Sequence, residues 1–293
     1  MATKFSIKDF NKRYKNDDAC LHEIFMLRYP DGVSCKVCKR VTKYYKIKNR
    51  KAYSCEFCRT QIYPLAGTVF EKSTTSLRTW FFAIFLMTST RSGISAKTVQ
   101  RLTGVTYKTA WRMYRQIRIL MADVDITPLD GVVEVDETFV GGKGANRKNV
   151  SHFNEKPKEI VMGMVQRDGK AYLRHIPNTG KYTLIDQIDR HVSPKARVMT
   201  DQYVGYKNLY KKGYTHSVVN HSFEYAKGEI HTQNAENMWS HLKRGIYGVY
   251  RHVSKKYLQM YADEFAFRYN NRKDPSGMFD ALLSQVSMVQ VVK

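Results

Sequence analysis

The stretch Val132-Val133-Glu134-Val135-Asp136-Glu137-Thr138-Phe139-Val140 reads as a buried strand with acids set inside it. β-branched residues dominate it, and Asp130-Gly131 just ahead is a turn signal. Burying an unpaired carboxylate is costly, so an acid in such a strand needs a cation or a hydrogen-bond partner. Two more acids stand in comparable places. Asp201 ends the apolar run Ala196-Arg197-Val198-Met199-Thr200-Asp201, and Glu236 opens a helical pattern in Asn234-Ala235-Glu236-Asn237-Met238-Trp239. Asp136, Asp201 and Glu236 are expected to converge on divalent metal. Glu134 and Glu137 flank Asp136, and either one is an alternative ligand.

Charge narrows the partners. The 293 residues hold 49 Lys and Arg against 26 Asp and Glu, a formal net charge of +23. Such an excess points to a polyanion, with nucleic acid first and a membrane surface second. No apolar run approaches the ~18 residues of a spanning helix, and Met1-Ala2-Thr3-Lys4-Phe5-Ser6 carries no signal-peptide core. The expectation is a cytoplasmic, nucleoid-associated protein with no membrane partner.

Cysteine spacing fixes the N-terminal region. Cys35-Lys36-Val37-Cys38 and Cys55-Glu56-Phe57-Cys58 are separated by 16 residues. Two C-x2-C turns at that distance bring four thiolates around one tetrahedral Zn²⁺ at about 2.3 Å. Lys43 to Ile47 and Arg50 to Ser54 read as a short β-hairpin between them, so residues 1–62 are expected to form a zinc ribbon with one structural ion. Cys20 is left over, and a small buried side chain accounts for it. Residues 1–60 carry 15 Lys and Arg against 6 Asp and Glu.

From Ser76 the pattern turns helical, with Leu77, Trp80, Phe81, Ile84, Phe85 and Met87 at three- and four-residue steps. Ile94 to Leu102 is a short helix capped by Ser95, Thr103-Gly104-Val105 a tight turn, and Thr106 to Arg118 a longer basic helix. This is a helix-turn-helix pattern, and the helical segment is placed at residues 63–121. Thr106, Tyr107, Lys108 and Arg112 are its expected groove-facing residues. An amphipathic hairpin packing a domain boundary is the competing reading.

After a linker at 122–131 the grammar changes. Residues 141–158 are a glycine-rich basic loop. Ile160 to Val165 and Lys170 to Ile176 flank the hairpin signal Asp168-Gly169. Tyr182 to Val192 is an amphipathic helix, 196–200 a strand, 203–212 helical, 216–220 a strand, and 234–245 and 255–270 helices. The order βββ–α–β–α–β–α, with acids ending the first and fourth strands and opening a late helix, is that of an α/β, RNase H-like domain at 122–293. Lys243 stands seven residues past Glu236, on the same face of a 3.6-residue helix. His231 and His241 read as satisfied or solvent-facing, Asn234 as a helix cap or a neighbour of the third acid, and Asp263-Glu264 as a solvated face.

Taken together these stretches resemble the zinc-ribbon DDE transposases of insertion sequences, the family designated fifteen-ninety-five (ISXO-like group). The resemblance lies in Glu134 through Gly142, Thr200-Asp201-Gln202, His231 through Trp239, Leu242-Lys243-Arg244-Gly245-Ile246-Tyr247-Gly248, His252 through Lys256, and Phe267-Arg268-Tyr269-Asn270-Asn271-Arg272. It covers nearly the whole chain. It implies the catalytic acids Asp136, Asp201 and Glu236 with Lys243 behind them, and two Mg²⁺ or Mn²⁺ ions. It also implies DNA partners (terminal inverted repeats and target DNA) and a homodimer or higher multimer in the synaptic complex. A DNA-binding regulator and a junction nuclease on the same fold are the alternatives.

Overall fold

The computed structural model describes residues 5–123, 127–141, 158–219 and 231–289. It divides into two compact units, residues 1–124 with 274–293 and residues 125–273.

The first unit opens with α1 (Ile7–Arg13) and α2 (Asp17–Arg28), capped by Ser6 and Asn16. The ribbon follows: β1 (Val33–Ser34) pairs antiparallel with β2 (Val41–Thr42), and β3 (Tyr44–Lys46), β4 (Tyr53–Cys55) and β5 (Gln61–Ile62) form a second antiparallel sheet. The expected hairpin is β3–β4, with Tyr44 opposite Cys55. The helical pattern from Ser76 is α3 (Leu77–Thr88), and its six marker residues are all buried. α4 (Ala96–Thr103) starts at the Ser95 cap and stops at Gly104. Gly104 takes φ +73, a left-handed conformation that a side chain would strain. α5 (Tyr107–Leu120) then starts at Thr106, whose Oγ1 accepts from Thr109 N at 3.3 Å.

The second unit is built on a five-stranded sheet. β6 (Val132–Val140), β7 (Glu159–Gln166) and β8 (Ala171–Ile176) run as an antiparallel meander. α6 (Lys181–His191) crosses to β9 (Arg197–Asp201), which lies parallel to β6 on its other side. β10 (Thr215–Val219) adds parallel to β9, giving the order β10-β9-β6-β7-β8. The expected helix at 203–212 is two 3-10 turns, Val204–Tyr206 and Leu209–Lys212. α7 (Gln233–Arg244) and α8 (Leu258–Asn270) complete the unit.

Strand alternation sorts the core into two layers. Val133, Val135, Met162, Met164 and Val198 face α6, packing with Leu184, Ile188 and Tyr206. Val140, Val161, Val165 and Leu173 face the opposite way, toward Met238, Trp239, Leu242, Phe265 and Ala266 of α7 and α8. Period-2 alternation thus gives each strand one face per layer.

Two expectations are corrected here. The C-terminal segment does not belong with the α/β unit. α9 (Met278–Met288) buries Phe279, Leu282, Leu283 and Val286, and the Phe279 ring lies 5.7 Å from Tyr14 and 6.4 Å from Phe81, within the first unit. Its apolar stripe is satisfied by the aromatic cluster of α1 and α3. Nor are Asp263 and Glu264 solvated, since α8 is enclosed on that side. Glu264 is fully buried and accepts from Arg268 at 2.7 Å and from the Tyr250 hydroxyl at 2.6 Å. Asp263 takes Gln259 at 2.7 Å and Arg174 at 3.4 Å. The glycine-rich loop lies mostly outside the described residues.

Removing one partner of a buried pair leaves an uncompensated charge, at a cost of about 3–5 kcal/mol. Glu264→Ala should therefore lower the unfolding free energy of the 125–273 unit by that amount. Asp186→Ala, which frees Arg190 at a site where both side chains are largely exposed, should cost under about 1 kcal/mol. Urea unfolding of both variants checks the contrast.

Candidate active site

The acids of β6 divide by face. β6 and β9 pair in parallel register, with Val132 opposite Arg197 and Glu134 opposite Met199. Two residues further along both strands stand Asp136 and Asp201, the same parity apart from a shared register. They therefore project from one face of the sheet, the face covered by α7, whose first turn carries Glu236. Asp136 is half-buried, and its carboxyl titrates above the usual range. Burial is the main cause, opposed by a hydrogen bond from Trp239 and reinforced by the charges of Asp201 and Glu236. A carboxyl raised by burial beside other negative charge makes a site that a hard cation would stabilise.

Glu137 faces the other layer. Its Oε1 accepts from the buried Tyr206 hydroxyl. Burial pushes its carboxyl up to about 7, against the Tyr206 hydrogen bond and with the repulsion of Asp136 and Asp201. The structure gives it a partner on the α6 side.

Glu134 has a different task. It is fully buried on the α7 face. Its Oε2 accepts from the backbone of Asn234 at 2.7 Å and Ala235 at 3.3 Å, and its Oε1 from Asn234 Nδ2 at 2.9 Å and Arg167 Nε at 2.8 Å. The first N–H groups of a helix lack internal partners and favour negative charge. Thr232, in the N-cap position of α7, makes no side-chain cap bond. A carboxylate from the central strand takes that role. Arg167 also reaches the carbonyl of His231 at 3.2 Å, and the His231 Nδ1 lies 3.2 Å from Glu134 Oε1. Asn234 is thus a ligand of Glu134, and the start of α7 is tied to β6 one pleat from Asp136. Sequence reasoning held Glu134 only as a spare metal ligand; an acid on an otherwise apolar face was the available signal of a pairing role.

Trp239 and Gly163 were also not anticipated. The Trp239 indole Nε1 donates to Asp136 Oδ2 at 2.7 Å. Asp201 Oδ1 accepts from Tyr203 N at 3.0 Å, and Glu236 Oε1 lies 3.4 Å from the Thr232 hydroxyl. Lys243 is half-buried near the end of α7, and Tyr107, Lys108 and Arg112 are exposed on α5 beside the capping Thr106.

The cysteines form a tight group. Cys35 and Cys58 Sγ are 3.4 Å apart, Cys38 and Cys55 Sγ 3.9 Å, and all four sulfurs lie within 4.8 Å of one another. A tetrahedron with Zn–S of about 2.3 Å has edges of about 3.8 Å, so the set fits Zn²⁺. The backbone N–H of Cys38 donates to Cys35 Sγ at 3.4 Å and holds that thiol down to about 6, which favours the thiolate a metal needs. Cys20 is buried and apart from this cluster. Among the described residues only these cysteines bring three or more ligand atoms so close.

An ISXO2-like transposase domain matches residues 128–270, and a transposase zinc-ribbon domain matches residues 15–61. The chain thus carries an ISXO2-like transposase domain preceded by a transposase zinc ribbon. The transposase match begins and ends within a few residues of the second compact unit and leaves α9 outside it. The ribbon match takes in α2 as well as the knuckles. A Halobacterium salinarum protein, described as an uncharacterized protein in transposable element ISH50, is 27% identical over 285 residues, 88% of this chain and 92% of that one. An uncharacterized transposase-like protein of Haemophilus influenzae is 29% identical over 125 residues, 42% of this chain and 94% of its own length. Among the described residues no helix is long and apolar enough to cross a membrane.

Two outcomes follow from this geometry. Zinc removal by a chelator should collapse the dispersed amide signals of β1 to β5 while those of β6 to β10 persist, because the ribbon has little apolar core without its ion. Ribbon signals unchanged after zinc loss would contradict the structural role. Glu134→Ala leaves two backbone donors and a guanidinium without their acceptor, a loss of about 3–5 kcal/mol. Amide hydrogen exchange at Asn234 and Ala235 should accelerate with it.

Proposed function

We propose that the chain is a DNA transposase that cleaves the ends of its element and joins them to target DNA through an RNase H-like domain. The observation that carries this is the grouping of Asp136, Asp201 and Glu236 on one sheet face, electrostatically coupled, inside the matched transposase domain. The strand order β10-β9-β6-β7-β8, with one meander and two parallel additions, supports the RNase H-like reading.

In this reading Asp136, Asp201 and Glu236 would hold divalent cations, Mg²⁺ or Mn²⁺, for which carboxylate oxygens are suited donors. Bound there, such ions would activate the attacking oxygen and stabilise charge on the leaving one. The chain's own residues position the scissile phosphate. Lys243, on the Glu236 face of α7, acts as a point charge on a phosphate oxygen. Water first attacks phosphorus, and the 3′ oxygen leaves with a proton as a free 3′-hydroxyl. That hydroxyl then attacks a phosphodiester of target DNA, the P–O bond to the target 3′ oxygen breaks, and no protein–DNA bond forms.

The ribbon and the α4–turn–α5 pair supply recognition of the terminal repeat. A basic first unit suits a polyanion, and α5 presents Tyr107, Lys108 and Arg112 to solvent as a recognition helix would. Thr106 serves mainly as the cap that starts that helix. A homodimer or higher multimer would hold two element ends together.

Asp136→Asn, Asp201→Asn and Glu236→Gln should each reduce cleavage and strand transfer about a thousandfold or more, while binding to terminal-repeat DNA is kept. Several kcal/mol of charge stabilisation are at stake, and 1.36 kcal/mol is tenfold in rate. Lys243→Ala should fall less and weaken binding near the cut. Assays on an oligonucleotide carrying the element end, with Mg²⁺ or Mn²⁺, read the result. A Glu236→Gln enzyme of wild-type rate beside a dead Glu137→Gln enzyme would overturn the triad, and a wild type inert with every divalent ion would favour a regulator.

A further inference from the structure

Gly163 stands directly opposite Asp136 across the β6–β7 pair. Both point to the α7 face, and Trp239 descends from α7 onto that spot. A Cβ built on Gly163 would sit 2.5 Å from Trp239 Cη2 and 2.8 Å from Cζ2, closer than any side chain allows. The benzene edge of the indole therefore occupies the place where a strand residue would normally put its side chain. Nε1 lies one carbon beyond Cζ2 around the ring system, and it reaches the neighbouring strand to donate to Asp136 Oδ2 at 2.7 Å. Trp239 itself is 6% exposed, so the ring is held by the Met238–Leu242–Phe265 layer.

From this geometry we infer that Trp239 is a positioning residue for the metal-binding carboxylate of Asp136, and that Gly163 is the vacancy in the sheet that admits it. A buried indole N–H requires an acceptor, and indole donates only. An ionised carboxylate offers about four lone-pair sites, so one N–H fixes its plane and leaves oxygen free for a cation. A short acid on a strand has few torsions, and a donor locked by packing removes most of what is left. Partners of metal ligands that orient them in this way change metal affinity or activity by about 10- to 100-fold when lost.

The inference rests on the proposed role of Asp136, and its test separates the two. Trp239→Phe keeps the ring over Gly163 and deletes only the donor. In the full zinc-loaded chain, without DNA, Mn²⁺ affinity of this variant should drop about 10- to 100-fold. Cleavage should need correspondingly more Mg²⁺ and recover toward the wild-type rate at saturating metal, with terminal-repeat binding unchanged. A merely structural loss would lower the rate at every metal concentration. In the wild-type chain the Trp239 indole N–H signal should shift with Mg²⁺ and broaden with Mn²⁺. That signal, assigned through Met238, needs no variant, so the test survives if Trp239→Phe fails to fold. Gly163→Ala should reproduce the metal phenotype by displacing the ring. Wild-type Mn²⁺ affinity and Mg²⁺ dependence in Trp239→Phe, or an indole signal indifferent to Mn²⁺ in a chain that cleaves, would overturn the inference and leave the transposase reading standing. A wild type that neither binds Mn²⁺ nor cleaves would overturn both.

Discussion

A carboxylate without water must have donors, and Glu134 finds them at the beginning of α7. That single requirement joins the central strand to the helix that carries Glu236. The fully buried oxygens take two backbone N–H groups, the Asn234 amide and the Arg167 guanidinium. The donors come from two parts of the unit: Arg167 just past β7, and Asn234 and Ala235 in the first turn of α7. Several donors share the one carboxylate, so the position of α7 over the sheet is over-determined. Asp136 sits one pleat along from Glu134, and Glu236 follows Ala235 by one residue. The start of α7, and with it Glu236, is thus tied to the sheet through Glu134.

The cysteine cluster and the acidic group are built differently. The cysteine cluster is closed and soft: four sulfurs within 4.8 Å, with backbone N–H and threonine hydroxyl contacts around them. Its purpose is to hold short strands that have little core. The acidic group of Asp136, Asp201 and Glu236 is open by comparison, with all three side chains at least partly exposed. Glu137 shows how closely the two faces of one strand can differ. It neighbours Asp136 in sequence, yet the pleat turns it toward Tyr206 and the α6 layer.

Several misplacements in the sequence reading share one cause. α9 carries an apolar stripe that any neighbouring core would satisfy, and its partners lie more than 190 residues away in sequence at Tyr14 and Phe81. Asp263 and Glu264 look like the polar face of an amphipathic helix. They are instead enclosed, because Arg268, Tyr250, Gln259 and Arg174 arrive with matching charges and donors. Periodicity describes one helix at a time and carries no information about what covers its second face.

Local patterns did determine a great deal. Cysteine spacing specified the ribbon, since a C-x2-C turn has only one way to put two sulfurs on one ion. Ser95, Gly104 and Thr106 marked the bounds of α4 and α5, because caps and left-handed turns are chemistry of one or two residues. The three acids stood out because a charge in an apolar run is anomalous wherever it occurs. Only tertiary structure decided which of the β6 acids serves which partner, and that Trp239 and Gly163 matter at all. A glycine in a strand and a tryptophan on a helix are unremarkable alone. Their meaning arises from register: Asp136 opposite Gly163 across one hydrogen-bonded pair, with an indole filling the gap. Register is fixed by the packing of the whole sheet, and no local stretch encodes it.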